Sequence, residues 1–425
     1  MIERIVIIND LSSPEGGASQ LALESARAFA ARSFKVTYLC GDHAPTDADI
    51  KFVGLSQGRL NDRGIKGALF SGLYNRNASA LLMNWIERND TPGTVYHLHG
   101  WSQILSPSIF GPLRSVMSRL VMSAHDFFAT CPNGAAFDFR TMSACHRKPL
   151  GASCLTARCD RRNSAHKAWR VARSLVQSNF VPAKDMPLQL LIHAGMAPFM
   201  RNAGIDGSKL VVLPNPVVPY TKQRVTAETN RSALFVGRLE KTKGADLAAR
   251  ACHESGIPLI MVGEGILRSE IEKNYPSVRC VGRKAPEEIG NFAKHARTLL
   301  MPSRHMEPFG LTAVEGLWSG LPVISTDKAL LADDIVRCQA GYAVDPENME
   351  AFGRVLGDLF SCDDGAKKMS EAAFYNTKHL ALSPDEWISR LLDTYTQVLS
   401  EPQPNKPAGG AQANFDGSRK MESCA

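Results

Sequence analysis

No stretch of 18 uninterrupted apolar residues occurs anywhere in the 425-residue chain, so no segment can cross a bilayer as a helix. The first residues carry no signal-peptide pattern: Glu3 and Arg4 precede a short apolar run, Ile5–Ile8, that predicts a strand. A cytoplasmic protein is the expectation. Ten cysteines are present, yet no two form a Cys-x-x-Cys pair, which favours reduced thiols over a disulfide framework. The loop after the first strand lacks Gly-x-Gly-x-x-Gly, which disfavours an oxidoreductase. The closest approach to a paired-carboxylate metal motif, Asp47-Ala48-Asp49, falls in a polar loop and reads as surface, so neither metal nor cofactor is expected in the chemistry.

Acids are almost missing from one segment. Between Arg140 and Arg173 nine Lys or Arg (Arg140, Arg147, Lys148, Arg158, Arg161, Arg162, Lys167, Arg170, Arg173) face a single acid, Asp160. Such a patch attracts phosphates, and anionic membrane is the partner expected for 140–173. Trp169 is its sole aromatic, so nucleic acid is not expected. Cys131, Cys145, Cys154 and Cys159 overlap this segment with 13, 8 and 4 residues between them. These spacings do not match a paired-cysteine zinc site, and whether they bind a metal stays open at this level.

Short apolar segments bounded by turn residues alternate with longer helix-period segments, the pattern of parallel sheets covered on both faces. Strands are predicted at Arg4–Ile8, Lys35–Leu39, Thr94–Leu98, Leu120–Ala124, Ser174–Gln177 and Leu210–Leu213, and again at Ala233–Val236, Leu259–Val262, Val278–Val281, Thr298–Met301 and Pro322–Ser325. The division is an N-terminal domain over 1–214, a polar linker over 215–230, a second domain over 231–380, a C-terminal helix over 381–400 and a disordered tail over 401–425.

In an open α/β sheet, chemistry is sought in the loops beyond the carboxyl ends of the strands. Gly237-Arg238-Leu239-Glu240-Lys241-Thr242-Lys243-Gly244 places a guanidinium and an ammonium where a diphosphate could sit, with Gly237 allowing a tight turn. Gly263-Glu264-Gly265 ends the next strand. In Glu307-Pro308-Phe309-Gly310-Leu311-Thr312-Ala313-Val314-Glu315 a loop runs into a helix, so the amides of Gly310, Leu311 and Thr312 form an anion site. Glu315 can accept hydrogen bonds from a vicinal diol, and Glu307 can reach a sugar hydroxyl. Read blandly, the two glutamates are acids that favour the helix dipole.

These motifs, with Val281-Gly282-Arg283 and Trp318-Ser319-Gly320-Leu321-Pro322-Val323-Ile324, resemble the donor domain of family-4 retaining glycosyltransferases over roughly Ala233 to Pro346. The resemblance implies the GT-B fold: α/β, two doubly wound Rossmann-like domains facing a central cleft, with the C-terminal helix crossing back to the N-terminal domain. It also implies that Arg238 and Lys243 hold the donor diphosphate with the Gly310–Thr312 amides, and that Phe309 lies in the donor site. Glu315 would bind ribose, Glu307 the transferred sugar, and the backbone near Arg283 the base. Gly16 and Gly17, in Pro14-Glu15-Gly16-Gly17-Ala18-Ser19, would face donor phosphate and acceptor; His125 would lie near the anomeric centre and His99 would line the cleft. Two departures stand out: Gly316 follows the second glutamate, and Lys328-Ala329 replaces a customary glycine pair, which puts the local loop shape in doubt.

The sequence is therefore read as a metal-independent hexosyltransferase that uses a UDP- or GDP-sugar with retention. The residues offer no evident nucleophile for double displacement, and front-face attack follows from the resemblance. A saccharide acceptor, expected to be lipid-linked because of the basic segment, would place the enzyme in cell-surface polysaccharide or lipopolysaccharide synthesis at the inner face of the membrane. The rivals are an inactive relative docked on a membrane complex and a sugar-nucleotide epimerase.

Overall fold

The computed structural model describes residues 1–400. The tail expected to be disordered, 401–425, lies outside the described residues.

The first domain is a seven-stranded parallel sheet. Its strands are β1 (Arg4–Asn9), β2 (Lys35–Cys40), β3 (Ile50–Gly54), β4 (Thr94–Leu98), β5 (Leu120–Ala124), β8 (Leu188–Leu191) and β9 (Leu210–Val212); β6 (Phe137–Asp138) and β7 (Ser143–Ala144) form a separate two-stranded ribbon. The second domain has six parallel strands: β10 (Ser232–Val236), β11 (Leu259–Val262), β12 (Val278–Cys280), β13 (Ala296–Met301), β14 (Val323–Thr326) and β15 (Gly341–Val344). The spatial orders are β3-β2-β1-β4-β5-β8-β9 and β12-β11-β10-β13-β14-β15. In both sheets the strand order reverses beside the first strand, between β1 and β4 and between β10 and β13, and such a switch point opens a crevice for ligand. The expected two-domain doubly wound architecture is what the structure shows.

The central strands are apolar because helices cover both faces: Ile5, Val6, Ile7 and Ile8 are all buried, as are all six residues of β13. The helix Gly17–Ala31 follows β1. The C-terminal helix Pro384–Ser400 crosses to the first domain, burying Trp387, Ile388, Leu391 and Tyr395 against Ile5, Ile7 and Phe29, with Arg32 paired to Asp385 at 2.6 Å. Beside it the linker pairs with the returning chain, the Val217 amide donating to the Leu382 carbonyl at 2.9 Å.

One predicted strand is wrong. Ser174–Gln177 lies inside the helix Ser164–Phe180, which is started by the Asn163 side chain accepting from the His166 amide and buries Lys167, Arg173 and Gln177 along one stripe. The strand that fills this place in the sheet is β8, whose fully buried Gln189 interrupts its apolar run. The edge strands β3 and β15, half-exposed, lie outside the predicted set.

Candidate active site

The loops at the carboxyl ends of β10, β11 and β13 interlock through glycines. A Cβ on Gly263 (φ 142°) would lie 1.9 Å from the Gly237 carbonyl oxygen, and one on Gly265 2.3 Å from that of Leu239. Gly244 (φ 68°) stands equally close to the Pro302 carbonyl. Gly237 itself has no positive φ and room for a side chain. The glycine needed for the close approach is Gly263, because its neighbour's backbone leaves no space.

This packing sets Lys243 against Glu307. The Lys243 ammonium donates to Glu307 Oε1 at 2.5 Å, the Ser303 hydroxyl donates to the same oxygen at 2.7 Å, and His305 Nε2 stands 3.8 Å away. Burial acts to raise the Glu307 pKa, but the Lys243 charge, with His305 and the two hydrogen bonds, outweighs it and holds the carboxyl below its ordinary value. Arg238 is more loosely held, two-thirds exposed and paired with Glu240 at 2.8 Å. It is free to turn onto a ligand at little cost, since an exposed pair is worth little. Arg283 is exposed beyond β12.

Gly310 takes φ 76° and begins the helix Leu311–Trp318; no side chain caps its first amides, which point out of the helix N-terminus. Phe309 is buried in the core. Glu315 lies one turn into the helix near Tyr220 of the linker, whose hydroxyl donates to the Thr312 carbonyl at 3.4 Å. Burial, opposed in part by the nearby Tyr220 hydroxyl, raises the Glu315 pKa to about 7. Lys328 pairs with Asp345 at 2.6 Å and Ala329 is buried, while the next amide, of Leu330, donates to the Glu307 carbonyl at 3.0 Å. The loop lacking its glycine pair thus still holds Glu307 from behind.

The first domain meets this site directly. Gly16 adopts φ 106° with open space beyond it, and a Cβ on Gly17 would touch Leu311 at 3.3 Å. The charge of Glu24, about two helix turns further on, reaches Glu315. His193 bonds to Asp334 across the domains at 2.9 Å. Three histidines stack at the ends of β4 and β5. His99 Nδ1 is 3.0 Å from His125 Nε2, the His97 and His99 rings lie 4.0 Å apart, and His97 bonds to Tyr395 (2.6 Å) and Ser123 (2.8 Å). Burial lowers the His125 pKa to about 4 and that of His97 to about 3, so this cluster is neutral near pH 7. His99 Nε2 has no partner among the described residues. Asp10 is no candidate nucleophile: its carboxylate accepts from the amides of Gln103, Ile104 and Leu105 at 2.7–2.8 Å, bracing the loop that follows His99.

Residues 220–375 match the family model of glycosyl transferases group 1. The second domain belongs to that family. A D-inositol 3-phosphate glycosyltransferase of Corynebacterium urealyticum is 28% identical over 200 residues, covering 42% of this chain and 46% of that protein. The chain spans about half the length of the curated relatives it matches. Among solved structures, sucrose-phosphate synthase from Thermosynechococcus elongatus superposes with TM-score 0.69 at 14% identity, covering 94% of this chain and all of that one. WaaG, a glycosyltransferase involved in lipopolysaccharide biosynthesis, gives 0.60 at 17% identity over 91% and 99%. At these identities the likeness concerns the fold, the two-domain GT-B arrangement.

Across the two domains, sequence reasoning missed Ser303, Tyr220 and Arg161. Tyr220 had a signal, an aromatic between Pro219 and a polar run in a linker. Arg161 had none: it belongs to the basic segment of the first domain, yet its charge, after burial and with Lys243, helps hold His305 below the ordinary imidazole range. The basic segment is also less of a surface patch than its composition predicts. Lys167 and Arg173 are buried, Arg147 pairs with Asp138 at 2.8 Å and Arg170 with Asp160 at 3.3 Å, leaving Arg140, Lys148, Arg158, Arg161 and Arg162 exposed.

Proposed function

We propose that the protein transfers a hexosyl residue from a UDP- or GDP-sugar to a saccharide acceptor with retention of configuration, and without a metal ion at the reacting centre. The observation that carries this reading is the Lys243–Glu307 pair seated between the Arg238 loop and the uncapped helix at Gly310. As the nucleoside diphosphate leaves, charge develops on its β-phosphate, and Arg238, Lys243 and the amides of Leu311 and Thr312 stabilise it; each such donor contributes about 3–4 kcal/mol in the transition state. Glu307, kept ionised by Lys243, accepts from a hydroxyl of the transferred sugar, and Glu315 accepts from the ribose diol. Neutral His125 and His99 line the acceptor side. They offer hydrogen bonds without a competing positive charge.

Glu307 is tied to Lys243 and Ser303 and Asp10 to three amides, which favours front-face attack, the acceptor hydroxyl passing its proton to the leaving phosphate. The exposed arginines and lysine of 140–162 suit an acceptor carried on a lipid phosphate, as in cell-surface polysaccharide or lipopolysaccharide synthesis, with peripheral binding to an anionic membrane face.

Thermal stability against uridine, guanosine and adenosine diphosphates and their sugars, with and without added magnesium, tests the donor site. A ligand at 100 times its Kd stabilises by about 2.7 kcal/mol. A shift with one base, independent of magnesium and lost in Arg238→Ala, is expected. No shift with any nucleotide would sink the reading and leave an inactive, docking relative.

A further inference from the structure

The four cysteines that the donor chemistry does not use converge. Cys131, Cys145, Cys154 and Cys159 line one cavity of about 20 Å³ with Thr130, Ala136, Arg147 and Lys167. That is room for a single water or monatomic ion. All four are free thiols. Each arrives on a different piece of chain: the turn after Phe127, the strand β7 exit, the five-residue helix Ala152–Thr156 and the loop beyond it. Between β5 and the helix Ser164–Phe180 regular structure amounts to that short helix and the two-residue strands β6 and β7. Segments with so little core of their own are commonly held by a cross-link or a metal.

A cation already stands among the sulfurs. The Lys167 ammonium, in a residue only 4% exposed, lies 3.3 Å from Cys159 Sγ and 3.6 Å from Cys154 Sγ, and among the described residues no salt bridge to a carboxylate holds it. Arg147 Nη1 lies 3.5 Å from Cys145 Sγ. Asn133 fastens the remaining sides, its Oδ1 accepting from Cys131 Sγ at 3.1 Å and its Nδ2 donating to the Phe137 and Cys159 carbonyls at 2.8 and 3.1 Å. A buried ammonium among thiols with no carboxylate partner is costly unless the sulfur carries the negative charge.

We propose that Cys131, Cys145, Cys154 and Cys159 bind one zinc ion as a tetrathiolate, with the Lys167 ammonium and the Arg147 donor beside the sulfurs. Four S–H protons leave and four Zn–S bonds form, with no change in oxidation state. Zn²⁺ with four thiolates carries two negative charges; the Lys167 ammonium sets one positive charge against them, and Arg147, whose charge is shared with Asp138 at 2.8 Å, donates to Cys145 Sγ. Soft sulfur ligands select zinc over magnesium or calcium. Among the described residues no three His, Cys, Asp or Glu side chains already stand as ligands of one point. Closing on the ion therefore takes rotation about the cysteine Cα–Cβ bonds, and Lys167 then donates to the thiolates from the second shell of the ion. The ion is structural: it would hold the loop that carries Arg161, two residues past Cys159, toward His305. The site stands apart from the transfer reading and is tested without activity.

The full chain, purified without chelator, is expected to carry one zinc per molecule by elemental analysis, released on titration with a thiol-blocking mercurial. Exchange with Co²⁺ should give thiolate charge-transfer absorption in the near ultraviolet and tetrahedral bands in the visible. Lys167→Met, which keeps all four ligands, should weaken zinc binding about 10–100-fold, and Cys154→Ser with Cys159→Ser should lose it. A wild-type chain that carries no zinc, gives no cobalt charge-transfer band and reacts at all four thiols under native conditions would overturn the proposal, whether or not the cysteine variants fold.

Discussion

The two sheets share a strand order and both open a crevice at the switch point, but they furnish it with opposite electrostatics. At the ends of β10 and β13 stand Arg238, Lys243 and an uncapped helix N-terminus around an ionised, buried Glu307. At the ends of β4 and β5 stand three stacked histidines that burial keeps neutral. The same architecture thus makes one cationic wall and one neutral wall, which the proposed function assigns to the donor diphosphate and the saccharide acceptor. Fold alone sets where ligands lie; the side chains on each switch point decide which ligand.

The sharpest way to break the comparison is to remove charge from the charged wall. Lys243→Ala should lower kcat by about 10²–10³ and, by leaving Glu307 buried without its cation, cost about 3–5 kcal/mol in stability. Adding Glu307→Gln to it should recover much of the stability and none of the rate, as denaturant unfolding beside steady-state kinetics would show. If the single variant lost neither, the pair would not be at the reacting centre.

On the neutral wall, no imidazole ionisation should appear in kcat/KM between pH 6 and 8, because the His125 pKa has been lowered to about 4. A bell-shaped profile with an apparent pKa near 6.5 that vanishes in His125→Asn would contradict this.

Gly310→Ala tests the helix start that joins the walls. At φ 76°, with Met301 Sδ only 2.8 Å from an added Cβ, the change should destabilise by about 1–2 kcal/mol and weaken nucleotide binding measured by calorimetry.

The smallest effect concerns Glu315. Its folded pKa, about 7, lies above the ordinary 4.5, so the folded state holds more protons between those values and stability falls as pH rises through that window. Glu315→Gln should flatten that part of the curve of melting temperature against pH. Nucleotide binding by the wild type should meanwhile strengthen above pH 7, as the carboxylate able to accept from a diol becomes populated.

Much of the charged wall was legible in the sequence, since its residues lie in loops directly after apolar strands, where spacing along the chain maps onto position at the sheet end. Arg238, Lys243, Glu307, Gly310 and Glu315 are of that kind. The neutral wall was legible only at His99 and His125. His97, one pleat away, reads as a core residue, and its bond to Tyr395 joins positions 298 apart in sequence. The misplaced strand at Ser174–Gln177 has the same origin: a short apolar run does not reveal its period when the buried stripe of its helix is made of Lys167, Arg173 and Gln177, which pack on Cys159, Trp101 and the Ala129 carbonyl from outside that helix.

By itself the sequence determined the alternation of apolar strands and helices, the two-domain division and the loops that carry charge, because these follow from hydrophobic period, turn residues and helix starts within a few residues of one another. Only the tertiary structure decided which charges are spent inside. Arg173 lies over Trp101 and Trp169 and Lys167 among sulfurs, while Arg161 stays exposed and acts on His305 of the other domain through its charge. Whether a charge faces water or a partner depends on what the fold brings against it, and composition counts both alike.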